Sequence, residues 1–236
     1  MIQQLVVNGC SYSQTYAKGL GHQDLDDRLS IPRSLSLALG GSANSRILRT
    51  SVKHSYTTKF PTLYVLGMTF VSRLELPICN PENEFEGRWS NPQNQEFANR
   101  WQHNWGADET KQFVELKLRS EVYSIFDRVE DLMYRMLSVI ADFKSRGHRV
   151  LIFQQADNLY QDYLNDDRLQ LLKQPEIIDR FRWRAIAWQN EQGVRPYAYP
   201  PGSPYVPPDM NHPDIGQHGL INEYLTNYIQ QHKILE

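Results

Sequence analysis

The sequence predicts a three-layer α/β/α sandwich around a mainly parallel central sheet, and three observations support this. Leu5–Gly9, Thr62–Met68 and Arg149–Gln155 are short apolar runs with no polar alternation, as strands buried on both faces require. Amphipathic helical patterns separate them, and strand–helix–strand alternation favours a parallel sheet covered on both sides. The length of 236 residues, with 40% hydrophobic and 22% charged, suits one domain with a sizeable core, and there is no internal repeat or low-complexity tract.

The elements follow in chain order. LVVNG, Leu5 to Gly9, is a β-branched run ending in Gly and reads as the first buried strand. In SIPRSLSLALGG, Ser30 can cap a helix, Pro32 falls in its first turn and Gly40–Gly41 stops it, so a helix is expected there. Ala43 to Ser55 reads as a second helix or helical turn. TLYVLGM, Thr62 to Met68, reads as a second buried strand after Pro61.

From Pro77 to about Ala107 the chain is rich in Pro, Asn and Trp and lacks a clean period. This marks a long loop or insertion after the Leu63–Leu66 strand. Its aromatic residues, Phe85, Trp89, Phe97, Trp101 and Trp105, suit a lid over a site or a small satellite core under the loop.

The clearest element comes next. Apolar residues recur at three- and four-residue steps from Val122 to Phe143, a long amphipathic helix stopped by Gly147. Arg149–Gln155 is the third buried strand. A charged helical region is expected around Asp166 to Trp188 and a short strand near Val194 to Tyr199. After a Pro-rich loop, Leu220, Ile221, Tyr224, Leu225, Tyr228 and Ile229 form the last amphipathic helix.

Composition narrows the classes of function. The net charge of -2 and the lack of a long basic run disfavour a nucleic-acid partner. Cys10 and Cys79 form no CxxC pair and point to a reducing compartment. MIQQLVVNGC has neither a basic leader nor a long apolar stretch, and no run of eighteen apolar residues occurs. A cytoplasmic protein without a membrane span is therefore expected, with export by a non-signal route or packaging into a larger particle left open.

The chemistry-bearing residues cluster at strand ends. Ser11 follows the first strand, Gly41–Ser45 lie between two helical stretches, and Gly67, Thr69 and Arg73 belong to the end of the second strand. Asp209 and His212 come after the last candidate strand. All would gather on the carboxyl rim of the sheet, where such folds bind ligands. DMNHPDIGQH, Asp209 to His218, carries two readings. Asp209 can cap a turn, with Pro213 opening a helix and Gly216 easing a corner. Alternatively Asp209, three residues before His212, can orient the imidazole as a general base. A metal site on Asp209, His212 and His218 lacks a supporting cluster.

In this order the blocks resemble the SGNH (GDSL-type) hydrolase superfamily. Gly9-Cys10-Ser11 stands where the family has Gly-Asp-Ser, Gly41 for the oxyanion-hole glycine, and Gly67-Met68-Thr69 for Gly-x-Asn. Asp209-Met210-Asn211-His212-Pro213 matches the family's Asp-x-x-His-Pro in full. The resemblance spans nearly the whole chain, and only the last block is specific.

It implies a single SGNH-like domain over residues 1–236 with a lid at about 77–107, and a cofactor-free serine ester hydrolase. Ser11 would be the nucleophile, His212 the base and Asp209 its orienting carboxylate. Gly41, Asn44, Thr69 and Arg73 would meet the oxyanion or substrate, a carbohydrate or other small O-acyl ester. Arg73 could instead pair with Glu75, Cys10 reads as a small buried residue, and His218 falls on the first turn of the last helix.

Two departures stand out. Cys10 replaces an Asp that supports the nucleophile loop, and Thr69 replaces an Asn that helps hold the oxyanion. They leave room for a catalytically silent binding or structural module of a larger assembly. An acyltransferase would use the same triad.

Overall fold

The computed structural model describes residues 1–10, 13, 25–39, 42–69, 76–77, 89–90, 125–154, 167, 170–178 and 215–236. Its centre is a five-stranded sheet in which every pairing is parallel. The strands are β1 (Gln4–Asn8), β2 (Ser34–Ser36), β3 (Thr62–Met68), β6 (Arg149–Gln154) and β7 (Ile177–Ile178), in the order β2-β1-β3-β6-β7. The register sets Leu5 against Leu63 and Tyr64 against Val150, so the expected neighbours β1, β3 and β6 are adjacent.

Each central strand divides its side chains between two cores, because successive residues point to opposite faces. Leu5, Val7, Leu63, Val65, Leu151 and Phe153 share one core with Leu25 of helix α1 (Leu25–Leu29) and with Ile221, Leu225 and Ile229 of the last helix. Val6, Tyr64, Leu66, Met68, Val150 and Ile152 form the other core with helix α2 (Asn44–Thr57) and helix α3 (Ile125–Ser145). The last helix, α4 (Ile215–Gln231), therefore covers the face opposite α2 and α3. These are the three layers expected. All seven residues of β3 are buried, which explains its unbroken apolar sequence. Gly147 (φ 76°) ends α3, and the His148 N–H bonds back to the Phe143 carbonyl at 2.9 Å.

Two expectations are corrected. The stretch after Ser30 is not a helix: Ser34–Ser36 is an edge strand on β1, extended by Leu37 N–H donating to Val7 O at 2.8 Å. Ser34-Leu35-Ser36-Leu37-Ala38-Leu39 alternates with period two, and that period outweighs the apparent cap. Ser30 (φ 54°) follows the last residue of α1 instead of opening a helix.

Within the region expected to be helical around Asp166 to Trp188, Asp167 is helical, but 170–178 hold a 3-10 turn (Gln170–Leu172) and then edge strand β7, and the rest lies outside the described residues. Pro175 disfavours helix at Gln174, and the β-branched pair Ile177–Ile178 fits a pleated edge.

In the insertion, Leu76–Pro77 (β4) and Trp89–Ser90 (β5) pair antiparallel, so the expected loop carries a small ladder. The remainder of the proposed lid and the strand expected near Val194–Tyr199 lie outside the described residues. No helix among the described residues is long and apolar enough to cross a membrane.

Candidate active site

The strand order fixes where a ligand crevice can open. From β1 the chain goes to β2 on one side, then returns across β1 through α2 to β3 on the other. The direction of winding reverses between β1 and β3, and the carboxyl ends at such a switch point leave a crevice. Three of the four sequence blocks approach it: Gly9–Cys10 after β1, Ser42–Asn44 at the start of α2, and Thr69 after β3.

The first block is held from below. Asn8, the last residue of β1, is fully buried. Its Nδ2 lies 2.9 Å from the Ile47 carbonyl and 2.8 Å from both Thr50 Oγ1 and Ser51 Oγ, all on α2. Its Oδ1 accepts the Gly9 N–H at 2.9 Å. Only one orientation of the amide fits, because a flip would set the amino group against the Gly9 N–H and the oxygen against the Ile47 carbonyl.

Gly9 follows in a confined space. A Cβ there would lie 2.1 Å from Ser13 Oγ and 3.1 Å from the Gly67 carbonyl. Cys10 is buried in the β1–α4 core, which agrees with a packing role. The Ser13 N–H donates to the Cys10 carbonyl at 2.9 Å.

The second and third blocks touch directly. Asn44 Oδ1 accepts the Thr69 N–H at 2.7 Å, and its Nδ2 donates to the Thr69 carbonyl at 2.9 Å. This two-point bond joins the first residue of α2 to the residue after β3. Thr69 is 2% exposed, and its hydroxyl is buried with no hydrogen-bond partner among the described residues. Arg46, also buried, reaches the Leu37 carbonyl at 3.2 Å and Ser42 Oγ at 3.1 Å, tying the chain entering α2 to the rim. The α2 N-cap, Ala43, provides no side-chain cap, and no acidic residue occupies the first turn. The partial positive charge of that helix end therefore has no acidic residue of its own first turn beside it.

Of the site residues expected from sequence, the structure brings Asn44 and Thr69 together. Ser11, Gly41, Arg73, Asp209 and His212 lie outside the described residues. The last block leads directly into α4, whose Ile221, Leu225 and Ile229 share a core with Leu5, Val7 and Cys10 of the β1 segment. His218 lies in the first turn of α4, as expected, and is buried. Among the described residues no group of His, Cys, Asp and Glu is arranged to hold a metal.

Sequence reasoning missed Asn8 and Arg46. Asn8 had a visible signal, as a polar side chain within a run whose neighbours are buried on both faces. Such a residue needs internal partners. Arg46 had none, since a cation on an amphipathic helix normally faces water.

No protein-family model and no curated protein matches the sequence. Among solved structures the chain is similar to the psychrotrophic esterase EstA from Pseudoalteromonas sp., in a form inhibited by monoethylphosphonate. The identity is 10% and the TM-score 0.48, over 97% of this chain and 97% of that one. It is also similar to TesA, at 10% identity and a TM-score of 0.41, over 98% of this chain and 99% of that one.

Proposed function

We propose that the protein is a divergent SGNH-type serine hydrolase acting on a carbohydrate or other small O-acyl ester. One observation carries the reading. The segments bearing the first three sequence blocks converge at the β1/β3 crevice, and the Asn44–Thr69 bond joins the second block to the third. The crossover through α2 brings these blocks to the carboxyl rim, which is where folds of this topology bind their ligands.

In the proposed reaction His212 takes the Ser11 proton as Ser11 Oγ attacks the acyl carbonyl, and Asp209 orients the imidazole and stabilises its charged form. The backbone N–H groups of Ser11 and Gly41 meet the developing oxyanion, aided by the positive end of α2. The Thr69 hydroxyl takes the place of the family's Asn amide as a further donor. The tetrahedral adduct collapses as His212 protonates the leaving alcohol. Water, deprotonated by His212, then attacks the acyl-enzyme and releases the acid and Ser11. Arg73 would accompany an anionic substrate group. No cofactor enters the scheme.

A panel of short acyl esters assayed with wild type, Ser11→Ala and Cys10→Ser tests this. The reading expects Ser11→Ala to lose hydrolysis while remaining folded, and Cys10→Ser to keep most of it. Activity that survives the first change and vanishes with the second would move the nucleophile to Cys10. A wild type inert toward every ester would favour the silent module, which the departures at Cys10 and Thr69 allow.

A further inference from the structure

We propose that Asn8 and Asn44 are a pair of positioning residues that use α2 as a common jig to set the spacing of the two strand ends lining the crevice. The claim deepens the hydrolase reading and rests on it for its catalytic consequence. Each side chain bridges a strand end and the same helix, Asn8 from the strand and Asn44 from the helix. Asn44, the first residue of α2, holds the backbone of Thr69 at both its N–H and its carbonyl. Asn8, one turn further along α2, reaches the Ile47 carbonyl and the Thr50 and Ser51 hydroxyls, and holds the Gly9 N–H with its other end.

The Thr50 and Ser51 hydroxyls each donate to the α2 backbone, to Arg46 O and Ile47 O at 2.8 Å. Their lone pairs are thereby turned toward Asn8. The Asn8 amino group has two hydrogens for three acceptors, so it is shared among them and held against rotation.

Packing alone does not call for this arrangement. The Asn8 site is fully buried, and an apolar residue there would cost no desolvation, whereas an amide must be fully satisfied to be tolerated. The polar solution adds direction. It fixes the first peptide of the loop after β1 relative to α2, and Asn44 fixes the first peptide after β3 relative to the same helix. The β1 and β3 ends are then located through two short bonded paths and not only by their ladder. This accounts for a nucleophile loop that can do without the family's supporting Asp, whose position is occupied here by Cys10 in the apolar core. Reacting groups displaced by about 1 Å can lose on the order of a hundredfold in rate, so loosening either staple should reach the chemistry without touching a reacting atom.

The test uses the whole protein with Asn44→Ala, Asn44→Asp and Asn8→Ala, read by ester kinetics and by amide hydrogen exchange. Asn44→Ala should lower kcat by roughly 10- to 100-fold with KM nearly unchanged, at temperatures well below its midpoint. It should also lose exchange protection at Thr69 while β1 and β6 keep theirs. Asn44→Asp keeps the acceptor for the Thr69 N–H but sets a carboxylate against the Thr69 carbonyl, so it should not rescue. Asn8→Ala should do the same at Gly9. Should it fail to fold, Asn44→Ala decides alone, because Asn44 sits at a helix end.

A merely structural role would lower the melting temperature and leave kcat of the folded protein intact, and that result overturns the proposal. If the wild type hydrolyses no ester, the hydrolase reading fails by itself. The jig is then judged by exchange: local loss of protection at Thr69 supports it, and unchanged protection overturns it.

Discussion

Mild acid should weaken this fold through two histidines at the end of the sheet opposite the crevice. His148 Nδ1 accepts the Thr62 N–H at 3.2 Å, so its ring proton resides on Nε2, which faces the Ser55 carbonyl at 3.4 Å. His54 Nδ1 lies 2.8 Å from the Tyr64 hydroxyl, and Tyr64 packs against Phe143 with ring centroids 4.4 Å apart. Burial raises the Tyr64 pKa, so the phenol stays protonated. Burial also lowers the pKa of both histidines, and each is lowered further by nearby positive charge. For His54 this comes from His148 and for His148 from Arg146, with the Ser55 carbonyl and Asp142 acting in the opposite sense.

The sign follows from linkage. Histidines depressed in the folded state take up protons first in the unfolded chain, whose value is about 6.5. Stability is therefore flat above about pH 6.5 and is lost as pH falls from there toward the folded-state values. The limiting slope is about 1.4 kcal/mol per pH unit for each histidine. Partial exposure of His54 keeps its share below that limit. Over the pH unit below about 6.5 the two histidines together lose at most about 2 kcal/mol, because half of each is already protonated in the unfolded chain at its start. At about 2–4 °C per kcal/mol for a domain of this size, the melting temperature should fall by no more than ~8 °C between about pH 6.5 and 5.5. In His148→Asn the side-chain oxygen can still accept the Thr62 N–H but cannot titrate, so its decline should be shallower. Melting followed by circular dichroism across about pH 5–8 measures both. An unchanged wild-type midpoint, or identical slopes for the two proteins, would refute the reasoning.

Three further outcomes are expected. Thr69→Val keeps the shape of the side chain and deletes a buried hydroxyl unpartnered among the described residues, so thermal stability should hold or rise. Ester hydrolysis should nonetheless drop by about 10²–10³-fold, and an unaffected rate would remove Thr69 from the oxyanion site. Gly9→Ala brings a methyl group to 2.1 Å from Ser13 Oγ and 3.1 Å from the Gly67 carbonyl, so a neighbour must move. A loss of about 1–3 kcal/mol in urea unfolding is expected, and wild-type stability would contradict the close approach. Phe143→Ala empties a fully buried ring site between α3 and β3 and should cost about 3–5 kcal/mol by the same assay, whereas a loss below about 1 kcal/mol would mean the site collapses.

The layers were legible because burial on both faces leaves a strong mark. β3 and β6 are apolar runs with no competing pattern, and α3 repeats its apolar stripe over 21 residues. The edge strands were not legible. β2 pairs on one side only, with Leu35 36% exposed, so its alternation competed with a plausible Ser30 cap and a Pro in the first turn. β7 is two residues long, and the charges before it favoured a helix. At the crevice, the meeting of Asn44 with Thr69 joins residues 25 apart and is set by the crossover through α2, which no local pattern encodes. Asn8 could have been found from its sequence context alone; its three partners on α2 could not.

The central claim is that Ser11 is an activated nucleophile, and a fluorophosphonate serine probe tests it most directly. The account predicts one covalent adduct per chain, mapped by peptide mass spectrometry to Ser11. It should be lost in Ser11→Ala and strongly slowed in His212→Ala. No adduct on the folded wild type, or an adduct at another residue that survives Ser11→Ala, would contradict it.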